Sequence, residues 1–164
     1  MLTGMLGYLQ GTTCPDISMG THQCARFNTN PKLCHEEAIK RVYKYLLATR
    51  DKSIVFKPVV SRSLECLVDA DVVGGWADGN QNDPESVLSC AGYVISYAGC
   101  LIHWCSKMET KIALSTTEAE YITLSMAMRD ILQFLNIMTE IKAFLPISDC
   151  EPKFFCKVWG DNQS

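Results

Sequence analysis

One long run of helical periodicity, residues 116–143, has strand-like runs on both sides of it. Leu64–Asp69 is the first strand candidate. Cys90–Tyr97 and Cys100–Cys105 follow, joined by Ala98-Gly99, and Lys153–Trp159 comes after the helix. Two strand runs separated by two residues, one of them Gly, read as a tight antiparallel hairpin. A strand that follows a long helix returns beside the first strand by a crossover and runs parallel to it. The order therefore predicts an α/β mixed sheet of three antiparallel strands, a crossover helix and a parallel fourth strand.

The part before residue 62 has a different character. Residues 1–30 read as short helical or turn segments. Cys14-Pro15-Asp16 gives a helix start, with Pro at the first helical position and an acid in the first turn. Asn28-Thr29-Asn30-Pro31 breaks the chain. Residues 33–49 form an amphipathic helix with Ile39, Val42, Tyr43 and Leu46 on one stripe. Ile54-Val55-Phe56 reads as a short strand, and Pro58–Ser63 as a linker. The expected division is a small, mainly helical segment over 1–62 and the α/β domain over 63–164.

Composition bounds the function. The chain is 48% hydrophobic and 20% charged, as globular proteins are. No apolar run approaches the ~18 residues that span a bilayer, so no membrane partner is expected. The first residues lack the charged start of a secretory signal, so an intracellular, cytoplasmic location is the expectation. The nine cysteines include no C-x-x-C pair, which disfavours a zinc ribbon and favours reduced, buried thiols. Net charge is −3, unevenly spread. Residues 1–60 carry eight Lys/Arg against four Asp/Glu, and the rest seven against fourteen. Lys40, Arg41 and Lys44 lie off the apolar stripe of the 33–49 helix. They are candidates for phosphate contacts, although a solvated basic face is the commoner outcome.

Leu114-Ser-Thr-Thr-Glu-Ala-Glu-Tyr121 places two carboxylates at the start of the long helix. Taking Tyr121, Leu124, Met128, Ile131, Leu135 and Met138 as the apolar stripe, at roughly 100° per residue, Glu120 lies about 50° from its centre and Glu118 about 110°. Ser115 and Glu118 fit a capping box. Glu120 is left as an inward carboxylate that needs a partner, because a buried charge must be paired or bind metal. Asp69 ends the first strand and Asp161 follows the last. These three acids could hold divalent metal through oxygen ligands, with Asp71 the rival for the first position.

These segments together resemble the Pol polyprotein of copia-type LTR retrotransposons. Val68-Asp-Ala-Asp71, Gly92-Tyr-Val, Ile102-His-Trp-Cys-Ser-Lys107, Ala113–Tyr121 and Asp161-Asn-Gln-Ser164 look like successive landmarks of its ribonuclease H domain. Gly7-Tyr-Leu-Gln, Cys14-Pro-Asp-Ile17 and His35–Leu47 resemble the tail of the reverse transcriptase. The resemblance implies a ribonuclease H-like fold that cleaves the RNA strand of RNA–DNA hybrids with Mg2+ or Mn2+. It makes Asp69, Glu120 and Asp161 the metal-holding acids. Ser115 and Thr117, with Thr116, stand beside the site as candidate nucleic-acid contacts. The rest of the polyprotein, the reverse transcriptase core, is the implied partner. Asp69-Ala-Asp-Val-Val-Gly-Gly75 departs from the family's Asp-Ala-Asp-Trp-Ala-Gly, and Cys14 stands where Arg is usual. The sequence stops at Ser164, before the family's fifth strand and last helix. That predicts a C-terminally truncated domain with weak activity or none, or a non-catalytic, nucleic-acid-binding remnant of a decayed element.

Overall fold

A computed structural model describes residues 2–59, 61–71, 88–110, 112–145 and 156–160. The chain divides into two compact units, Met1–Val55 and Phe56–Ser164. The division falls ahead of the expected boundary near residue 62. The reason lies in the segment after Val55. The Val59 amide donates to the Ala98 carbonyl (2.8 Å), and the Ala98 amide donates to the Ser63 carbonyl (3.3 Å). The presumed linker is thereby fastened to a hairpin turn of the second unit.

The first unit is helical: α1 Leu2–Thr12, a 3-10 turn Pro15–Ile17, α2 Ser18–Ala25 and α3 Leu33–Thr49. Its buried residues are few: Leu6, Ile17, Ser18, Thr21 and Cys24. α3 covers the expected helix but buries none of its residues fully. Ile39, Val42 and Leu46 are half-buried, and Tyr43 of the expected stripe is exposed. Residues 54–56 form no strand. Val55 and Phe56 are both largely exposed and pair with no strand among the described residues.

The second unit is α/β. It contains β1 Leu64–Asp71, β2 Cys90–Tyr97, β3 Cys100–Met108, α4 Thr116–Phe144 and β4 Cys156–Gly160. The sheet order is β3-β2-β1-β4. β1 pairs antiparallel with β2 and β2 with β3, while β4 lies parallel to β1 with Leu64 opposite Cys156. The mixed sheet with one parallel pair was legible in the element order. β1 is longer than expected and continues to Asp71, opposite Cys90. Residues 153–155, expected to begin the last strand, lie outside the described residues.

Alternation along β1 sets the two faces of the sheet. Leu64, Cys66 and Val68 are buried against α4, joined by Tyr93 and Ile95 of β2 and by Ala127 and Ile131 of the helix. Glu65, Leu67, Asp69 and Asp71 alternate to the other face. The β2–β3 turn has Ala98 at φ 52° and Gly99 at φ 76°. Positive φ at both central residues is the twist-compatible two-residue hairpin turn. An added Cβ at Gly99 would also crowd the Arg62 side chain at 3.2 Å.

α4 begins at Ser115, whose hydroxyl accepts from the Glu118 amide (3.1 Å). The Glu118 carboxylate reaches one residue further back than a capping box requires and accepts from the Leu114 amide (2.7 Å). The buried face of α4 is not the expected stripe. Ala119, Thr123, Ala127 and Ile131, spaced by four, are buried, whereas Tyr121 is 68% exposed. Small side chains let the helix axis approach the sheet closely. The larger Leu124 and Leu135 fill the margins.

Candidate functional site

The crossover helix carries its first-turn carboxylates across the sheet. On roughly 100° per residue, the buried row of α4 centres about 90° away from the stripe of large apolar residues. Glu120 still lies only about 40° from the centre of that row, and Glu118 about 160° from it. Ala119 beside it is fully buried and Glu120 itself half-buried. Glu118 and Ser115 are exposed and engaged in capping, and Thr117 is exposed in the same turn.

Asp69 stands opposite Gly92, two residues inside β1 rather than at its end, and is exposed. Asp71 shares its face at the strand terminus, and that face is turned away from α4, so the structure does not bring either aspartate onto the helix side where Glu120 lies. Asp161 follows Gly160 of β4 in sequence but lies outside the described residues. Among the described residues, no group of three His, Cys, Asp or Glu is close enough to hold a metal ion. Asp69, Asp71 and Glu120 therefore do not close around an ion by themselves. All three are carboxylates, the donor type that hard divalent cations take.

Lys40, Arg41 and Lys44 lie on α3, in the other compact unit. Lys40 pairs with Glu36 at 2.6 Å. Arg41 and Lys44 are exposed. Eight of the nine cysteines are among the described residues, and all eight are free thiols. Cys66 is fully buried, and loss of solvation pushes its thiol up to about 11.

Two polar constellations carry no sequence motif. Glu109, just past β3, is 3% exposed. Its Oε1 accepts from the Thr123 hydroxyl (3.3 Å), and Oε2 has no hydrogen-bond partner among the described residues. Burial pushes this carboxyl above its ordinary value. The Thr123 hydrogen bond opposes the shift, and the Glu118 charge adds to it. Further along α4, the buried Tyr93 hydroxyl donates to Asp130 Oδ2, which His103 Nε2 also meets at 3.2 Å. Burial first, then the bond to Asp130, drives the Tyr93 phenol well up, so it stays a donor. On the α4 wheel Asp130 falls about 40° from the true buried row and about 130° from the expected stripe. A stripe of small residues was the signal that would have found it.

Fold and site together define an α/β protein with an acid-bearing crossover helix over a mixed sheet. The chain belongs to the copia-type retrotransposon Pol family. It is 32% identical over 141 residues to the retrovirus-related Pol polyprotein from transposon TNT 1-94 of Nicotiana tabacum, covering 84% of this chain and 10% of that protein. It is 31% identical over 140 residues to the corresponding polyprotein from transposon RE1 of Arabidopsis thaliana, covering 85% of this chain and 9% of the other. It is also 34% identical over 127 residues to the secreted RxLR effector protein 161 of Plasmopara viticola, covering 77% of this chain and 84% of the effector. The chain thus spans about a tenth of the Pol polyproteins it matches and most of the short effector. No family model matches the chain, and no solved structure matches it. No helix among the described residues is long and apolar enough to cross a membrane.

Proposed function

We propose that the chain is a piece of a retrotransposon Pol polyprotein, with a ribonuclease H-like second unit that in the intact parent hydrolyses the RNA strand of RNA–DNA hybrids. The observation that carries this reading is the half-buried Glu120 in the first turn of a crossover helix packed on a sheet; Asp69 lies two residues from the end of β1 on the face turned away from the helix, and the parallel neighbour β4 leads in sequence to Asp161. Asp69, Glu120 and Asp161 would hold Mg2+ or Mn2+. Bound there, the ions would activate a water and stabilise the leaving oxygen. The protein's own contribution is placement: α4 holds the turn that bears Glu120 through its packed Ala119 and Thr123, and Asp69 lies on β1, the parallel neighbour of β4.

The test is cleavage of a labelled RNA–DNA hybrid in Mg2+ by these 164 residues, and by a longer Pol polyprotein containing them. Expected is cleavage by the longer form and little or none by the shorter. In the longer form, Asp161→Asn should lower cleavage by about 100-fold or more, in the range seen when a group acting on the reacting atoms is removed. Cleavage that survives Asp69→Asn, Glu120→Gln and Asp161→Asn alike would overturn the reading.

A second reading is favoured by the effector relative, of which this chain covers 84%. The similar stretch there makes up most of a short protein, so we read it as able to stand apart from a polyprotein, as a non-catalytic binding module would. Salt-dependent binding to hybrid without cleavage, weakened by Arg41→Ala and Lys44→Ala, would favour it.

A further inference from the structure

A groove of about 810 Å3 runs between the end of the edge strand β3 and the flank of α4. Its size falls within the range of small-ligand sites, roughly 300–1,000 Å3. The helical wall is built from two adjacent rows spaced by four residues. The outer row is Thr117, Tyr121, Ser125 and Arg129; the inner row is Glu118, Ile122 and Met126. Lys107 and Glu109 face them from β3 and the residue beyond it. One residue past Arg129, Asp130 ties α4 to β3 through His103.

The chemistry of this groove is specific. Arg129 and Lys107 are exposed cations, and neither is ion-paired to a described residue. Glu118 is engaged by the Leu114 amide, and Glu109 is buried with one oxygen held by Thr123. Glu118 is exposed and keeps its negative charge, so two exposed cations stand against one exposed anion and the accessible balance is positive by one. Ile122 and Met126 supply an apolar strip, and Tyr121, 68% exposed, presents a phenol beside it. From Tyr121 to Arg129 is two helical turns, about 12 Å. A ligand that fits carries anions and flat, stackable rings in alternation.

We propose that this groove binds a short stretch of nucleic-acid strand, with Lys107 and Arg129 on its phosphates and Tyr121 against a base. The proposal rests on the nuclease reading for the class of polymer. Glu120 is not part of the groove wall, and at roughly 100° per residue it lies about 160° around α4 from the inner row, so the groove is a binding surface separate from that carboxylate. Aromatic stacking of bases tolerates any sequence, and the cations add a salt-dependent hold.

The test is binding of fluorescein-labelled RNA–DNA hybrid, single-stranded DNA and single-stranded RNA to the full chain in EDTA, across a salt series. The double variant Lys107→Ala/Arg129→Ala should weaken binding at least tenfold. It should also flatten the plot of log K against log salt by about 1.4 to 1.8, at roughly 0.7–0.9 per phosphate contact. Tyr121→Ala should weaken binding about tenfold with the slope unchanged, and Tyr121→Phe should restore it. Lys107→Glu, on an exposed side chain, provides a second reading, with circular dichroism verifying the fold. Unchanged affinity and slope in the double variant would overturn the proposal. So would a wild-type chain that binds none of the three nucleic acids, or one that binds an acidic peptide equally well. Glu120→Gln leaves the groove intact and separates the two readings. Groove-dependent binding without cleavage in any form keeps the groove and removes the nuclease, whereas cleavage indifferent to Lys107 and Arg129 does the reverse.

Discussion

Asp130 accepts from the Tyr93 hydroxyl inside the α4–sheet junction and meets His103 at its edge. Removing the phenol oxygen leaves a partly buried carboxylate short of a donor. Tyr93→Phe should therefore destabilise the second unit by about 1–3 kcal/mol, read from urea unfolding; a change within experimental scatter would show that the bond contributes little. Glu109 behaves differently. Its folded carboxyl holds its proton more tightly than the unfolded one, since burial raises it. Through the carboxylate range the native state therefore binds more protons than the unfolded state, and stability falls as pH rises there. Glu109→Gln removes that loss. The variant is expected to match or exceed the wild type at pH 7 and to lose this advantage below about pH 4, where both unfolded and folded carboxyls are protonated. A wild type more stable than the variant at pH 7 would mean the carboxylate has a partner that matters. Neither residue was legible beforehand, because a carboxylate paired across strand and helix leaves no spacing in the chain. Glu120 was legible for a partly accidental reason: it lies near the edge of the large-residue stripe and also near the small-residue row that is buried.

α4 shows how an element can be right in extent and wrong in orientation. Its range and its Ser115 cap followed from the sequence, but leucines and methionines were weighted over alanines, and Tyr121 was placed inside. The sheet accepts the small row because Tyr93 and Ile95 already fill the space beneath it. Ala127→Leu should for that reason destabilise by about 1–3 kcal/mol through overpacking, while Tyr121→Ala should change stability by no more than about 0.5 kcal/mol. Thermal melts of the two variants check both; a tolerated leucine at 127 would show that the helix can lift off the sheet. Ser115→Ala removes the acceptor for the Glu118 amide and should cost about 1 kcal/mol, with loss of helicity confined to the first turn. β1 misled in the other direction: its pairing with Cys90 carries it to Asp71, which a strand estimated from the apolar run alone does not reach.

At the level of the whole chain, two compact units joined near Val55 predict where a protease enters. Val55 is 77% exposed and Phe56 64%, so trypsin is expected to cut at Lys52 or Lys57 before any other described lysine or arginine. A first cut within α3 would show that the helical unit opens more readily than the joint. The Pro58–Ser63 run reads as a linker with a boundary near residue 62, whereas the units divide after Val55, and the hydrogen bonds from Val59 to Ala98 and from Ala98 to Ser63 are long-range ties that no local pattern reports.

The register of Leu64 with Cys156 has a consequence for synthesis. Among the described strands β1 and β4 are neighbours, with the hairpin and the whole of α4 emerging between them. The hairpin can close while the chain is still on the ribosome, but one side of β1 stays open until residues 156–160 have been made. Loop closure over that separation is slow relative to local pairing. A nascent chain paused after α4 would therefore expose a half-satisfied central strand, a substrate for chaperones, and the release of residues 156–160 would be the event that commits the unit to its final form.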